Sequence, residues 1–248
     1  RMEGLSVGSV LLTGCDGGLG LGLLKGLLEQ PRPPRHLFAA CLDPQGKVGK
    51  VLGRPVPKPS HPLADVTDPN SIKAAVRKVQ EEVGSAGLNL LINNVGTTRR
   101  STLATETAEN MTLVYTTNTI GPLQTSQAFL PLLKKAAEAE GQQGMSCSRA
   151  AIINISSILG SIEAAEAWEE RQDVCYRCSK VPLPAERGGI WGSPPAGSHP
   201  HTPHASCGIW QGPVTEEESV QGILQLLAHL SATSNGTFWD WRGQSLPW

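Results

Sequence analysis

The chain has 248 residues, of which 39% are hydrophobic and 17% charged, and its formal net charge is -1. This composition excludes a disordered chain, and the charge gives no support for binding nucleic acid or an anionic membrane surface. No apolar run approaches the ~20 residues that span a bilayer. We therefore expect one globular domain over residues 1–248, with neither nucleic acid nor membrane among its partners.

The N-terminal residues and the cysteines both bear on location. Arg1 and Met2 lead almost directly into an apolar run, so the pattern of a secretory signal peptide is missing. The six cysteines are scattered rather than arranged as a disulfide framework. Together these features predict a cytoplasmic protein with reduced thiols.

Short apolar runs alternate with helical patterns along most of the chain. Strands are predicted over Val7–Thr13, His36–Cys41, Leu88–Ile92, Ala150–Ile155 and Gly236–Trp241. Helices are predicted over Leu19–Leu28, from the Asp68-Pro69 start, over Ala108–Ala139 with a kink at Gly121-Pro122, and after the capping box Thr215–Glu218. This alternation predicts an α/β fold, a Rossmann-type doubly wound parallel sheet with helices on both faces.

A glycine-rich turn joins the first predicted strand to the first helix. Its pattern is TGxxxGxG, and we assign cofactor-binding roles in it to Thr13, Gly14, Gly18, Leu19 and Gly20. A Cβ at the glycines would keep the backbone away from a pyrophosphate, and the helix N-terminus supplies N–H donors and a favourable dipole. Taken alone, the motif also fits a turn that only permits tight packing.

Two further segments at strand ends favour a dinucleotide site. Asp65 and Val66 precede a predicted helix, where the acidic side chain would meet an adenine ring. Asn93, Asn94 and Gly96 follow the third strand, at the edge where ligands of open α/β sheets bind. Each segment alone is typical of a simple cap or turn, but their order along the chain matches the glycine turn.

A second set of residues predicts proton-transfer chemistry. Tyr176 and Lys180 are four residues apart and share one face of a helix. A nearby ammonium lowers the pKa of a tyrosine, so that the phenol can exchange a proton with a carbonyl or alcohol near neutral pH. Ser157 follows a strand and can polarise the substrate oxygen, and Asn118 can hold a water beside Lys180. A Tyr-x-x-x-Lys pair alone is more often a solvated helix face.

These motifs together resemble the short-chain dehydrogenase/reductase family. The TGxxxGxG turn, Asn93-Asn94-Val95-Gly96, Asn118, Asn154-Ile155-Ser156-Ser157 and Tyr176-x-x-x-Lys180 stand in the family's order. Several segments, such as Ile158-Leu159-Gly160-Ser161-Ile162 and the ending Gly236–Trp241, are similar to the sniffer and C-factor-like carbonyl reductases. The resemblance covers about residues 7 to 180 and again 213 to 248.

The resemblance implies reduction of a small-molecule carbonyl with a nicotinamide cofactor. It makes Tyr176 the proton donor, Ser157 the group that orients the carbonyl, and Lys180 a contact of the nicotinamide ribose. It also implies NADP(H) in preference to NAD(H). However, Gly17 and Leu42 stand where relatives carry arginines that grip the 2′-phosphate, and Asp43 favours a ribose hydroxyl.

Residues 181–212 depart from the family. Residues 181–214 contain seven prolines and six glycines, about twice the density of the whole chain, without helical or strand periodicity. Pro182 and Pro184 stop any helix just after Lys180. The family has a long helix here, often a dimer contact, and then a buried strand. We expect both the helix and the strand to be missing. The sheet would then have a gap, and a homodimer would lack its usual contact helix.

Three interpretations of this departure stay open. The chain is an active carbonyl reductase, a catalytically impaired nucleotide-binding or interaction protein, or the product of a degenerate gene without a stable fold. A shifted reading frame or a mis-spliced exon would explain residues 181–212. The grouping of His199, His201, His204 and Cys207 resembles a metal cluster only loosely, and the Cys175-x-x-Cys178 pair straddles Tyr176, so neither a metal site nor a redox pair is predicted.

Overall fold

The structure is a computed structural model that describes residues 4–43, 48, 65–138, 146–163, 168, 172–181, 204–208 and 215–247. Its strands are β1 (Ser9–Thr13), β2 (His36–Ala40), β3 (Leu90–Asn93), β4 (Ala151–Ser156), β5 (His204–Gly208), β6 (Thr237–Asp240) and β7 (Ser245–Leu246). They form one sheet in the order β2-β1-β3-β4-β5-β6-β7. All neighbours pair in parallel except β7, which runs antiparallel to β6.

Helices cover both faces of this sheet. They are α1 (Gly18–Leu28), α2 (Pro69–Val83), α3 (Ala108–Tyr115), α4 (Gly121–Ala137), α5 (Val174–Lys180) and α6 (Glu216–His229). Val10 and Leu12 of β1 pack in one core with α1 and α6, and Leu11 packs in the other with α2 and α4. Because strand side chains alternate between faces, one strand feeds both cores. The predicted α/β fold, doubly wound and Rossmann-type, is confirmed.

Two predicted helix starts have the expected capping contacts. The Asp68 carboxylate accepts hydrogen bonds from the backbone N–H groups of Asn70 and Ser71, ahead of Pro69 in the first turn of α2. Thr215 and Glu218 form a reciprocal capping box at the start of α6. Both caps satisfy N–H groups that have no partner within the helix.

The long helix predicted over Ala108–Ala139 is interrupted. A five-residue π-helical turn, Thr116–Ile120, separates α3 from α4, and the Gly121 N–H donates to the Thr116 carbonyl. The next residue, Pro122, has no N–H for the Asn118 carbonyl four residues before it. The kink expected at Gly121-Pro122 is therefore a π-turn that contains Asn118.

The prediction of a gap in the sheet is wrong. Strand β5 lies between β4 and β6, with Ile152 opposite His204 and Ala205 opposite Thr237. Its sequence, HASCG, contains no β-branched or aromatic residue, so it carries no local strand signal. Pairing of its backbone on both sides provides the hydrogen bonds that define the strand. The sequence pattern missed it because that stabilisation is entirely tertiary.

The end of α5 agrees with the prediction from the prolines. The helix stops at Lys180, and Val181 has φ -54 and ψ 122, the extended conformation favoured before a proline. The family's long helix would fall on residues 182–203, which lie outside the described residues, as do His199 and His201. None of the described helices has both the length and the apolarity needed to cross a bilayer.

Candidate active site

The glycine turn lies at the carboxyl end of β1, where the strand order reverses between β2 and β3. Gly14 and Gly18 adopt φ values of 73 and 51, in the left-handed region. A Cβ on Gly20 would lie 2.0 Å from the Gly14 carbonyl oxygen, whereas the Cβ position of Gly18 faces open space. The turn thus packs tightly on its inner side and leaves its backbone open where α1 begins. Leu19, half-buried, packs against the core on the α1 side.

Thr13 and Asn94 brace this turn from within. The Thr13 hydroxyl accepts hydrogen bonds from the N–H groups of Asn94 and Val95, at 3.0 and 3.2 Å. Asn94 Nδ2 donates to the carbonyls of Thr13 and Gly14, at 3.0 and 3.1 Å. The two predicted cofactor-binding segments are therefore hydrogen-bonded to each other.

Asn93 lies within β3 rather than after it. Its Nδ2 donates to Ser126 Oγ and Asn154 Oδ1, and its own Oδ1 is buried with no hydrogen-bond partner in the structure. The side chain is 3% exposed, so it connects β3 to α4 and β4 beneath the site. This geometry differs from the loop position that the sequence suggested.

Asp16 is a residue of the glycine turn that the sequence analysis did not single out. Its carboxylate accepts the N–H groups of Leu42 and Asp43, at 3.0 and 2.9 Å. Leu42 is 72% exposed. The surface just beyond β2 therefore carries the acidic Asp16 and Asp43 beside an exposed leucine.

Asp65 and Val66 border the start of α4. Asp65 Oδ1 accepts hydrogen bonds from both the N–H and the hydroxyl of Thr67, at 2.8 Å each. Val66 is buried, and a Cβ on Gly121 would lie 2.9 Å from Val66 Cγ2. Gly121 thus allows α4 to approach this segment closely.

Helix α5 carries Tyr176 and Lys180 on one face. Lys180 is 7% exposed, its Nζ donates to the Ile155 carbonyl at 2.7 Å, and it lies 5.8 Å from the Tyr176 ring centroid. Burial lowers the pKa of the Lys180 ammonium from 10.5 to about 8. The Cβ position of Gly96 is 3.4 Å from this Nζ, so the helix meets the segment after β3.

The turn after β4 holds the other end of α5. Ser157 caps a 3₁₀ turn over Ile158–Gly160, and its hydroxyl accepts the Leu159 N–H. Ser156 Oγ donates to the Lys180 carbonyl at 2.9 Å, and a Cβ on Gly160 would lie 1.9 Å from that carbonyl oxygen. The Lys180 end of α5 is thus held against the turn that presents Ser157.

Asn118 connects the π-turn to α5. Its amide forms a two-way pair with the backbone of Thr97 and also donates to Ser179 Oγ, each at 2.8 Å. Ser179 Oγ in turn donates to the Tyr176 carbonyl. The Cβ position of Gly96 lies 3.6 Å from Asn118 Oδ1, close to its contact with Lys180. The structure therefore brings Asn118, Lys180 and Gly96 together.

The two cysteines beside Tyr176 lie in different environments and are not joined by a disulfide. Cys175 is buried, and burial together with hydrogen bonding to Glu106 raises its thiol pKa. Cys178 is exposed. A raised pKa disfavours the thiolate that redox chemistry requires.

A family model described as short chain dehydrogenase matches residues 9–181. The chain belongs to the short-chain dehydrogenase family. The family match ends one residue after Lys180, immediately before the first proline of the departing segment. It includes the glycine turn, the π-turn, the Ser157 turn and α5.

Among curated relatives, human retinol dehydrogenase 5 is 34% identical over 157 residues, 62% of this chain and 44% of the relative. Human 17-beta-hydroxysteroid dehydrogenase type 6 is 36% identical over 159 residues, again 62% and 44% of the two chains. The matched region spans less than half the length of these relatives.

Solved structures match over almost the whole chain. The NADPH-bound carbonyl reductase from chicken fatty liver is 40% identical with a TM-score of 0.83, covering 98% of this chain and 100% of that one. Carbonyl reductase Sniffer of D. melanogaster is 32% identical with a TM-score of 0.86 and the same coverage. The likeness to the sniffer type of carbonyl reductase agrees with the prediction from sequence.

Proposed function

We propose that this protein reduces a carbonyl of a small molecule to an alcohol with a nicotinamide dinucleotide. The observation that carries the proposal is the position of Lys180. Its buried ammonium is held by the Ile155 carbonyl, within 6 Å of the Tyr176 ring and against Gly96 at the sheet edge. Buried ionisable side chains with shifted pKa values cluster at functional sites, and this supports a chemical role for Lys180.

The residues of the glycine turn fit a dinucleotide. The open backbone at Gly18 and the first N–H groups of α1 would hold the pyrophosphate, since no described residue lies within 4 Å of the Gly17 and Gly18 Cβ positions. Asp65 and Val66 would border the adenine. When bound, the cofactor supplies the hydride that reduces the carbonyl carbon.

Tyr176 supplies the proton in this proposal. Its phenol donates to the carbonyl oxygen as negative charge develops there, and the positive charge of Lys180 favours the phenolate that remains. Lys180 Nζ has three donors, and among the described residues only the Ile155 carbonyl takes one. In this proposal the other two bind ribose hydroxyls.

Ser157 and Asn118 complete the proposed set. Ser157 Oγ accepts the Leu159 N–H, so its own O–H can still donate to the carbonyl oxygen of the substrate. The backbone carbonyl of Asn118 has no helical N–H donor four residues later, because residue 122 is proline. In this proposal a water bound to that carbonyl passes a proton to Lys180, which returns one to Tyr176.

Cofactor choice rests on two opposing observations. The chicken fatty liver reductase is an NADPH complex, which supports NADP(H) for this chain. Asp16, Leu42 and Asp43 offer no cation to a 2′-phosphate and add negative charge beside its position. We keep NADP(H) as the proposal, with weaker discrimination against NAD(H) than an arginine at residue 42 would give.

The non-catalytic alternative rests on the loss of the substrate-binding half in residues 181–212, and β5 removes one of its arguments because it fills the expected gap in the sheet. The continuous sheet also supports our proposal that residues 1–248 form one domain. The scattered cysteines support a cytoplasmic location as part of the same proposal.

The test is oxidation of NADPH with a panel of quinones and aldehydes, for the wild type and Tyr176→Phe. Loss of the phenolic proton should lower turnover ~10²–10⁴-fold, while the rise in Tm on adding NADPH stays unchanged. Tyr115, the chain's other tyrosine, is exposed on α3 and gives the matched control, because Tyr115→Phe should not change turnover.

Two outcomes would contradict the proposal. Equal turnover by Tyr176→Phe and wild type would show that another group delivers the proton. Stabilisation by NADPH without turnover of any carbonyl in the wild type would support the non-catalytic alternative.

A further inference from the structure

The N-terminus of α5 is capped by side chains far away in sequence. Asp173, the N-cap residue, has φ 38 and makes no capping hydrogen bond with its own side chain. Instead, Ser101 Oγ accepts the Val174 N–H at 3.1 Å, and Glu106 Oε2 accepts the Cys175 N–H at 2.8 Å. These N–H groups belong to the first turn of the helix, whose N–H groups have no hydrogen-bond acceptors within the helix.

The same loop holds the backbone on both sides of this cap. The Asp173 N–H donates to the Ser101 carbonyl at 3.0 Å, so three consecutive N–H groups, at 173–175, bind to Ser101 and Glu106. The Leu103 N–H donates to Gln172 Oε1 at 2.8 Å. Tyr176 directly follows Cys175, so the position of its backbone depends on the hydrogen bond from the Cys175 N–H to Glu106.

The two capping side chains also hold each other. Ser101 Oγ donates to Glu106 Oε2, and Glu106 Oε1 accepts the Thr107 N–H. Partial burial would raise the pKa of the Glu106 carboxyl, but the hydrogen bonds from Ser101, Thr107 and Cys175 together lower it to about 2. The carboxylate is therefore ionised at neutral pH and faces the positive end of the helix dipole.

The two ends of α5 are held by separate contacts. The Lys180 end is attached to Ser156 and Gly160, and Lys180 Nζ to Ile155, none of which touches Ser101 or Glu106 through any contact found in the described residues. The Tyr176 end depends on the loop that continues from Thr97. A helix of seven residues is too short to hold its own geometry in isolation.

We propose that Ser101 and Glu106 are positioning residues that fix Tyr176 by capping the catalytic helix from the loop after β3. The inference rests on the proposed function, because its catalytic readout is carbonyl reduction. Lys180 is anchored by other residues, namely Ile155, Ser156 and Gly160. Ser101 and Glu106 should therefore affect proton transfer by Tyr176 and not the binding of the cofactor.

The test compares Glu106→Ala, Glu106→Gln and the control Glu109→Ala. Glu109 is an exposed carboxylate in the first turn of α3. Because a displacement of about 1 Å at a reacting group can cost about 100-fold, kcat of Glu106→Ala should fall ~10–100-fold. The dissociation constant of NADPH should change less than about threefold, since Lys180 stays in place.

Glu106→Gln provides the rescue, because its amide oxygen can still accept the Cys175 N–H. Its kcat should lie within about fivefold of the wild type. Ser101→Ala combined with Glu106→Ala should cost less than the product of the two single effects, since both act on one cluster. A wild-type kcat in Glu106→Ala, or an equal fall in kcat and NADPH affinity, overturns the inference.

Amide hydrogen exchange gives a readout that is independent of turnover. In the cofactor-free protein, the peptide over residues 172–181 should exchange ~10-fold faster or more in Glu106→Ala, and at the wild-type rate in Glu109→Ala. If the wild type reduces no carbonyl, the proposed function fails and this measurement still decides the inference. Unchanged exchange in Glu106→Ala would reject it.

Discussion

The glycine turn and the catalytic helix are built in different ways. The turn is held from two adjacent strands, because Thr13 ends β1, Asn94 follows β3, and the two residues hydrogen-bond to each other. Helix α5 has only seven residues and is held by residues from three distant segments: the loop with Ser101 and Glu106, the π-turn with Asn118, and the Ser157 turn.

This difference separates two kinds of structural requirement. The glycine turn depends on the absence of side chains at fixed positions, which a sequence shows directly. The catalytic helix depends on distant side chains that bind its backbone N–H groups, as Glu106 binds the Cys175 N–H, and a sequence does not show such contacts. Tyr176 and Lys180 can therefore both be present in a sequence and still need contacts from the rest of the domain to reach the geometry of the site.

The largest expected effect compares one glycine from each region. Gly20→Ala places a Cβ 2.0 Å from the Gly14 carbonyl oxygen, and Gly160→Ala places one 1.9 Å from that of Lys180. Such overpacking costs ~1–3 kcal/mol or more. Gly20→Ala should abolish NADPH binding, whereas Gly160→Ala should lower kcat more than NADPH affinity. Calorimetric titration and steady-state kinetics measure the two quantities.

Gly17→Ala is the matched control for both glycines. Gly17 has φ 179, and no atom of the described part of the chain lies within 4 Å of its Cβ position. The Tm of cofactor-free Gly17→Ala should stay close to that of the wild type, because the added methyl group contacts none of the described residues. If Gly20→Ala bound NADPH normally, the tight inner side of the turn would have no part in binding.

An intermediate effect comes from the burial of Lys180. Its folded pKa of about 8 lies below the ordinary value of 10.5, so between these values the unfolded chain holds more protons. The free energy of unfolding should then rise with pH across this window, by at most ~1.4 kcal/mol per pH unit, and the gain should be absent from Lys180→Met. Below about pH 8 the cost of burying the charge is present in full.

Urea unfolding of the cofactor-free protein at about pH 7, 8.5 and 10 measures this difference. Lys73→Met, which removes an exposed lysine of α2, controls for the loss of one surface charge. Parallel pH dependences for the wild type and Lys180→Met would mean that the ammonium is not destabilised in the folded protein.

The smallest expected effect concerns the glycine turn and its cofactor. Leu42→Arg adds a guanidinium beside the position of a 2′-phosphate and should tighten NADPH binding ~10–100-fold without changing NADH affinity, as charge-assisted hydrogen bonds predict. Leu103→Arg, on an equally exposed leucine elsewhere, is the control. Equal gains for both variants would indicate a general charge effect.

Most of the fold could be predicted because its signals are local. The apolar runs of β1 to β4, the Asp68 cap and the Thr215 capping box all lie within a few residues of the elements they define. Strand β5 was missed because its short, polar sequence becomes a strand only between β4 and β6. Strand β7 has only two residues and carried no periodicity.

The candidate site divides in the same way. Tyr176 and Lys180 were found from their spacing, and Asn118 from its place in the family pattern. Ser101, Glu106 and Asp16 were not found, because each acts through backbone N–H groups that any residue could supply. For Asn118 the sequence did give a signal, because Pro122, just after the π-turn, has no N–H for the backbone carbonyl of Asn118.

The attachment of the Lys180 carbonyl to Ser156 and Gly160 has a consequence for engineering. Among the described residues, the Lys180 carbonyl at the end of the catalytic helix is held by residues that precede the helix in the chain. Val181 is thus a natural graft point. A segment of different length joined there should leave the hydrogen bond from Ser156 to the Lys180 carbonyl, and with it the end of the helix, in place.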